Sequence, residues 1–242
     1  MALNITQLLF KIFNMRLIIL LLIFFSNTLI FLNAQIVPQG FLVSTNSEVL
    51  AIGTQIWKAS NLNVINYNNG DAILNTSNFS TTVIGAYDHY NNVTANAAIY
   101  GRLYNWYAIN DARGICPIGW RVPSEDDFVI LTNYLATGSY STSVITANAG
   151  KVGGLLKEVA LTHWTTPNTS ATDAFGFSGL PGGWKQGTAY AGIGLTAQFW
   201  TTTISTEVPG SPYRFTLYND NNELRRVYST KDYGFSVRCI KN

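Results

Sequence analysis

The chain has 242 residues, 47% of them hydrophobic, 13% aromatic and only 12% charged, with 15 Lys and Arg against 13 Asp and Glu. Lys11 and Arg16 account for the whole basic excess, so residues 35–242 carry no formal net charge. A neutral chain whose only adjacent basic pair is Arg225-Arg226 lacks the clustered cationic face that nucleic-acid binding requires, and strand alternation sends that pair to opposite faces.

Residues 17–32, LIILLLIFFSNTLIFL, follow Met15-Arg16 and run to Leu32-Asn33-Ala34. A short apolar core ending at a small residue predicts an export signal over residues 1–34, removed in the mature protein, with Met15 as an alternative start. The competing reading is an uncleaved anchor, for which the core is short against the ~20 residues a membrane span needs. No cysteine stands near residue 34 to take a lipid, so the expectation is a soluble exported chain with no stable membrane insertion after cleavage. Residues 35–48 form a mature N-terminal segment, and 49–242 read as one domain without internal repeats.

Two cysteines in an exported chain predict one disulfide, Cys116 to Cys239; a pair of buried thiols is the alternative. With no CxxC pair and only two histidines, no metal or other cofactor is expected.

In chain order, Val49–Trp57 reads as strand interrupted at Gly53-Thr54, and Asn68-Asn69-Gly70-Asp71 as a turn. Asn75 to Asn96, rich in Asn, Thr and Ser, reads as a long surface loop. The run Gly101 to Phe128, GRLYNWYAINDARGICPIGWRVPSEDDF, is the densest in aromatics, arginines and turn residues, and the rest of the domain is organised around it. Tyr104, Trp106 and Tyr107 supply an apolar body; Asp111, Arg113 and Gly114 supply a tight corner. Ser124 is a good N-cap, with Glu125, Asp126 and Asp127 in the favourable first turn, and Phe128, Leu131, Tyr134 and Leu135 mark one face of a helix over 125–136.

Residues 137–150 read as loop, Lys151–Val159 as a second short helix, 162–173 as an irregular connection and Phe175–Pro181 as extended, turned by Gly182-Gly183 into Trp184. From Ala189 onward, turn signals at Gly192 and Gly194, Pro209-Gly210, Asn219–Asn222 and Lys231–Gly234 predict an antiparallel meander.

Seven blocks, IGTQIWKASNLNV (52–64), GRLYNWYAI (101–109), CPIGWRVPSEDDF (116–128), GGLLKE (153–158), FSGLPGGW (177–184), FWTTT (199–203) and GFSVRC (234–239), occur in the order found in the Fibrobacter succinogenes major paralogous domain, and the chain resembles that family over about residues 50–241. The resemblance implies an α+β, C-type-lectin-like fold related to the formylglycine-generating-enzyme branch: two short helices, a twisted antiparallel meander and long irregular loops. The chemistry of that enzyme depends on reactive cysteines, and here both are assigned to a bridge. The Glu-Pro-Asn, Gln-Pro-Asp and Trp-Asn-Asp signatures of calcium-dependent lectins are missing.

No residues declare a catalytic set. His163 has Asp173 ten residues on but no nucleophile fixed beside it, His89 lies in the polar segment, and the acids at 125–127 are explained by a helix start. Asn219–Asn222 offers oxygen ligands but reads as a hairpin turn. The expectation is a non-catalytic binding or adhesion module for a glycan or a surface protein, outside the cytoplasm. An enzyme of unrecognised mechanism and a structural envelope component are the alternatives. Trp200 is expected to be core. Tyr190, Tyr213, Arg214 and Tyr218, within the variable 185–233 stretch, are the expected ligand contacts; should the tyrosines be core, the Asn75–Asn96 segment takes their place.

Overall fold

The computed structural model describes residues 48–137 and 148–242, so the expected leader, most of the N-terminal segment and the centre of the 137–150 loop lie outside the described residues. Strands β1 (Val49–Ile52) and β2 (Gln55–Lys58) form the interrupted strand read from the sequence, closed as a hairpin with Ile52 opposite Gln55. The rest of their sheet comes from far along the chain. Ile240 of β14 (Ile240–Lys241) pairs with Trp57 on one side and with Arg121 of β6 (Trp120–Arg121) on the other.

The C-terminal meander is the largest sheet. β10 (Thr196–Ile204), β11 (Pro212–Tyr218) and β12 (Leu224–Tyr228) are successive antiparallel neighbours, and β7 (Asn148–Ala149) adds to the edge of β12. β8 (Gly182–Gln186) and β9 (Ala189–Ile193) form a separate sheet with β13 (Tyr233–Gly234). Gly182-Gly183 therefore lies within a strand, not at the expected turn: Gly183 has φ +66, and a Cβ there would stand 2.5 Å from the Ala191 carbonyl oxygen, so the close strand pair itself requires glycine. A small sheet of β3 (Leu74–Asn75), β4 (Ala86–Asp88) and β5 (Leu103–Tyr104) completes this mixed α+β arrangement.

The α-helices among the described residues are α1 (Thr94–Tyr100), the single turn α2 (Trp106–Ile109) and α3 (Glu125–Thr137). The expected second helix over 151–159 is instead a 3₁₀ segment, Gly150–Leu155. There the glycines are packing sites: a Cβ on Gly153 would lie 2.5 Å from the Glu223 carbonyl and one on Gly154 2.1 Å from that of Ser170. α3 starts at a capping box. Asp127 N–H donates to Ser124 Oγ at 3.3 Å, while the Ser124 N–H donates back to Asp127 Oδ2 at 2.7 Å.

Two hydrophobic clusters are divided by β10. Phe199 points to the side of α3, where Phe128 stacks on Phe215 with ring centroids 4.4 Å apart and Trp57, Phe177 and Leu131 close the packing. Trp200, one residue on, points the opposite way into Tyr104, Trp106, Phe235 and Val237, and its indole N–H donates to the Tyr104 carbonyl at 2.7 Å. Cys116 and Cys239 are bonded inside this second cluster with Cα atoms 6.0 Å apart, fixing the turn before β6 to the approach of β14.

The Asn75–Asn96 segment is a surface loop only in part: Asn75, Ser77, Ser80, Thr81, Val83, Ile84 and residues 91–95 are exposed, but a buried core runs through it. Phe79, Ala86, Tyr87, Asp88, His89 and Tyr90 are all buried in it. Its polar residues close the backbone locally: Asn78 Oδ1 accepts from Ser80 N–H at 3.0 Å, and Thr82 Oγ1 donates to the Asn78 carbonyl at 2.8 Å.

Candidate functional site

An open cleft of about 450 Å³ lies between the middle of this polar segment and α2 with the turn that follows it. One wall is Val83, Ile84 and Gly85. The other carries Trp106 and Tyr107, and Asn110, Asp111 and Arg113 line its polar end.

Asn105 sets the distance between the walls. It is fully buried and is the N-cap of α2: its Oδ1 accepts from the Ala108 N–H at 3.0 Å and from the Ala86 N–H at 2.9 Å, while its Nδ2 donates to the Ile84 carbonyl at 2.8 Å. One side chain thus holds both sides of the cleft by three bonds to backbone. Trp106 is anchored beneath by its indole N–H to the Thr201 carbonyl at 3.3 Å, leaving Tyr107 as the half-exposed ring.

Fixed ionic geometry holds the polar end. Arg113 grips Asp111 through Nε at 2.9 Å and Nη2 at 2.8 Å, reaches Asp71 with Nη1 at 2.9 Å and lies 3.9 Å over the Tyr67 ring. These Arg113 bonds hold the Asp111 carboxyl down to about 2, so it stays an ionised acceptor at any ordinary pH. The Tyr67 hydroxyl lies behind Gly85, buried and without a hydrogen-bond partner.

The four expected contacts do not share a surface. Tyr213 is 2% exposed, a correction to its reading as a surface residue, and period two explains it. Tyr213 alternates in step with Phe215 and Leu217, facing the core, with Arg226 4.5 Å over its ring and its hydroxyl donating to Glu207 Oε1 at 3.2 Å. Arg214 and Tyr218 occupy the other face of β11, both half-buried. Arg214 is committed to structure, donating from Nε to Gln198 Oε1 at 2.6 Å and stacking 4.7 Å over Phe235, and Tyr218 lies under Arg225. Tyr190 belongs to β9 in a separate sheet and donates its hydroxyl to the buried Asp88.

His163 and Asp173 are not partnered: His163 Nδ1 contacts Glu158 at 2.8 Å, and Asp173 accepts from the Ser178 hydroxyl at 2.5 Å. At the start of α3, Asp127 is engaged by Arg121 and Ser124, and Glu125 by Arg226. Asn219–Asn222 forms the β11–β12 turn, bound to the Thr165, Thr166 and Lys151 carbonyls. No group of three or more His, Cys, Asp and Glu residues suited to a metal occurs among the described residues, and no helix among them is long and apolar enough to cross a membrane.

Half of the cleft stands in the stretch the sequence marks out, through Trp106, Tyr107, Asp111 and Arg113. The opposite wall, Val83–Gly85, lies in the Asn75–Asn96 segment, the alternative contact surface of the sequence reading; the reading lacks the buried core beneath it, Phe79 and Ala86–Tyr90. The available signal was the aromatic series Phe79, Tyr87 and Tyr90 running through that polar segment. Residues 50–241 match the family model of the Fibrobacter succinogenes major domain, and the chain belongs to that family. No curated protein and no solved structure gives a significant match.

Proposed function

We propose that this member of the Fibrobacter succinogenes major domain family is an exported, non-catalytic binding module of C-type-lectin-like fold whose ligand is a glycan held in the 83–85/106–113 cleft. The observation that carries this reading is one ring, Tyr107, set beside the planar polar groups of Asn110, Asp111 and Arg113 on a rigid turn. A half-exposed ring provides a stacking platform for a sugar face, and fixed donors and acceptors beside it suit vicinal hydroxyls. Asp111, gripped by Arg113, fits a fixed acceptor for a sugar hydroxyl. Small, mostly antiparallel sheets, short helices and long connections support the lectin-like fold. The apolar leader supports export.

A protein ligand is the second reading, favoured by the apolar rim: Val83 is 73% and Ile84 59% exposed. A glycan array and a panel of cell-surface proteins, probed with the mature chain, separate the two. Tyr107→Ala should weaken glycan binding about tenfold, roughly 1.4 kcal/mol, with little change in melting temperature. Unchanged glycan binding in Tyr107→Ala removes the cleft as the site. Mass spectrometry of exported material should find the N-terminus after Ala34; finding Met1 or Met15 there rules cleavage out.

A further inference from the structure

Lys185 and Asp88 are both completely buried, and their side chains touch: Nζ stands 2.5 Å from Asp88 Oδ2. The pair is enclosed by rings, with Nζ 4.4 Å over Phe79 and 4.7 Å over Tyr190, which faces Lys185 across the β8–β9 pair. Every polar neighbour is placed by backbone or by the pair itself. The Ser77 carbonyl accepts from Nζ at 2.7 Å, the Tyr190 hydroxyl donates to Asp88 Oδ2, and the His89 N–H donates to Asp88 Oδ1 at 2.8 Å. His89 Nδ1 is 3.9 Å from that same oxygen.

We propose that Lys185 and Asp88 are a covalent cross-link site: once the chain has folded, Lys185 Nζ condenses with Asp88 Cγ to form an isopeptide bond without an external enzyme. An ion pair sealed from water is costly as two charges, and transfer of one proton from the ammonium to the carboxylate yields a neutral amine beside a neutral acid. Burial lowers the Lys185 pKa, against the pull of Asp88, which brings the amine form within reach. Burial and the Arg102 charge likewise keep His89 towards its neutral form.

The amine lone pair then attacks Cγ, and the C–Oδ1 π electrons move onto Oδ1, where the His89 N–H meets them. A second proton leaves Nζ and reaches the Oδ2 hydroxyl through the Tyr190 hydroxyl that touches it. Oδ2 departs as water as the carbonyl re-forms. One C–N bond is made, one C–O bond is broken and one water is released, with no change of oxidation state and no co-reactant. Held geometry replaces activation of the acid, and exclusion of water favours the condensed product.

The bond would join β4 to β8 across 97 residues and pin the segment that carries Val83–Gly85. The test is the intact mass of the full chain, denatured and with its disulfide reduced, against the mass of its sequence from the observed N-terminus. The expected mass is lighter by one water, and fragmentation should give a branched peptide joining Asp88 to Lys185. Asp88→Asn should react by losing one ammonia and reach the same final mass, whereas Lys185→Arg should stay at its full sequence mass. A folded wild-type chain at its full sequence mass overturns the proposal, as does a loss of water that maps elsewhere; neither result depends on any variant folding.

Discussion

A methyl group on residue 85 would fall 1.8 Å from the Tyr67 hydroxyl and 2.9 Å from Ala108 Cα, so the cleft wall can pass α2 only as glycine. Gly85→Ala should cost about 1–3 kcal/mol in urea unfolding, the range for forced overpacking. Tyr67→Phe removes a buried hydroxyl that has no partner and should be neutral or slightly stabilising. Combined with Gly85→Ala it should recover part of the loss, because the nearest clash is gone while the Ala108 backbone remains; strict additivity of the two changes would show that the hydroxyl is not what residue 85 meets. Tyr213 teaches a related lesson. Its place in the variable 185–233 stretch does not make it exposed: its alternation with Phe215 and Leu217, visible in the sequence, turns it inward. Arg238 lay beyond such reading altogether. It is buried without a carboxylate in contact, its guanidinium divided among Asn61 and the Lys58, Ala59 and Phe177 carbonyls, and burial brings it down to about 9; none of those partners is near it in sequence.

At the scale of elements, α3 was legible because its signals are local. Ser124, the following acids and the apolar spacing lie within one stretch, and Phe128, Leu131 and Leu135 are buried as that spacing requires. The Asp127 carboxylate adds a feature the sequence left open, since Arg121 Nη2 binds it at 2.8 Å beside the Ser124 bonds. Burial alone would raise its pKa, but Arg121 and Ser124 overcome burial and hold it below the ordinary 3.8. The unfolded chain therefore binds more protons there as pH falls past that value, so the stabilisation is complete above it and fades as pH drops through the folded value. Asp127→Asn should lower stability at neutral pH by about 1–3 kcal/mol and flatten the acid limb of a stability–pH curve; an acid limb identical to wild type would assign the pH dependence elsewhere. α2 was not legible. Its cap, Asn105, bonds to residues 19 and 21 positions away, and no local pattern announces that. Asn105→Ala should cost about 3 kcal/mol or more by leaving buried backbone groups unpaired, and should abolish cleft binding along with it.

For the whole molecule, the decisive arrangement is that the last strand closes the first sheet. β14 lies between β2 and β6, and the Cys116–Cys239 bridge stands at that closure, within the cluster that also buries Trp106 beneath the cleft. The two cysteines are 123 residues apart, so in the loop-entropy account the bridge restricts the unfolded chain by about 4–5 kcal/mol. Its native surroundings are apolar and both cysteines are buried, so replacing the bond by small apolar side chains, which leave only a small void, should keep the fold intact under mild conditions. Cys116→Ala with Cys239→Ala should therefore lower the urea midpoint strongly while retaining the near-ultraviolet signal of the buried Trp57, Trp164 and Trp200 at low denaturant. The slope should rise slightly, because an unbridged unfolded chain exposes more surface. A midpoint unchanged by the double substitution would show that pairing of β14 between β2 and β6 holds the chain end without covalent help. Loss of the near-ultraviolet signal before any denaturant would show instead that the bridge is needed to assemble the second cluster at all.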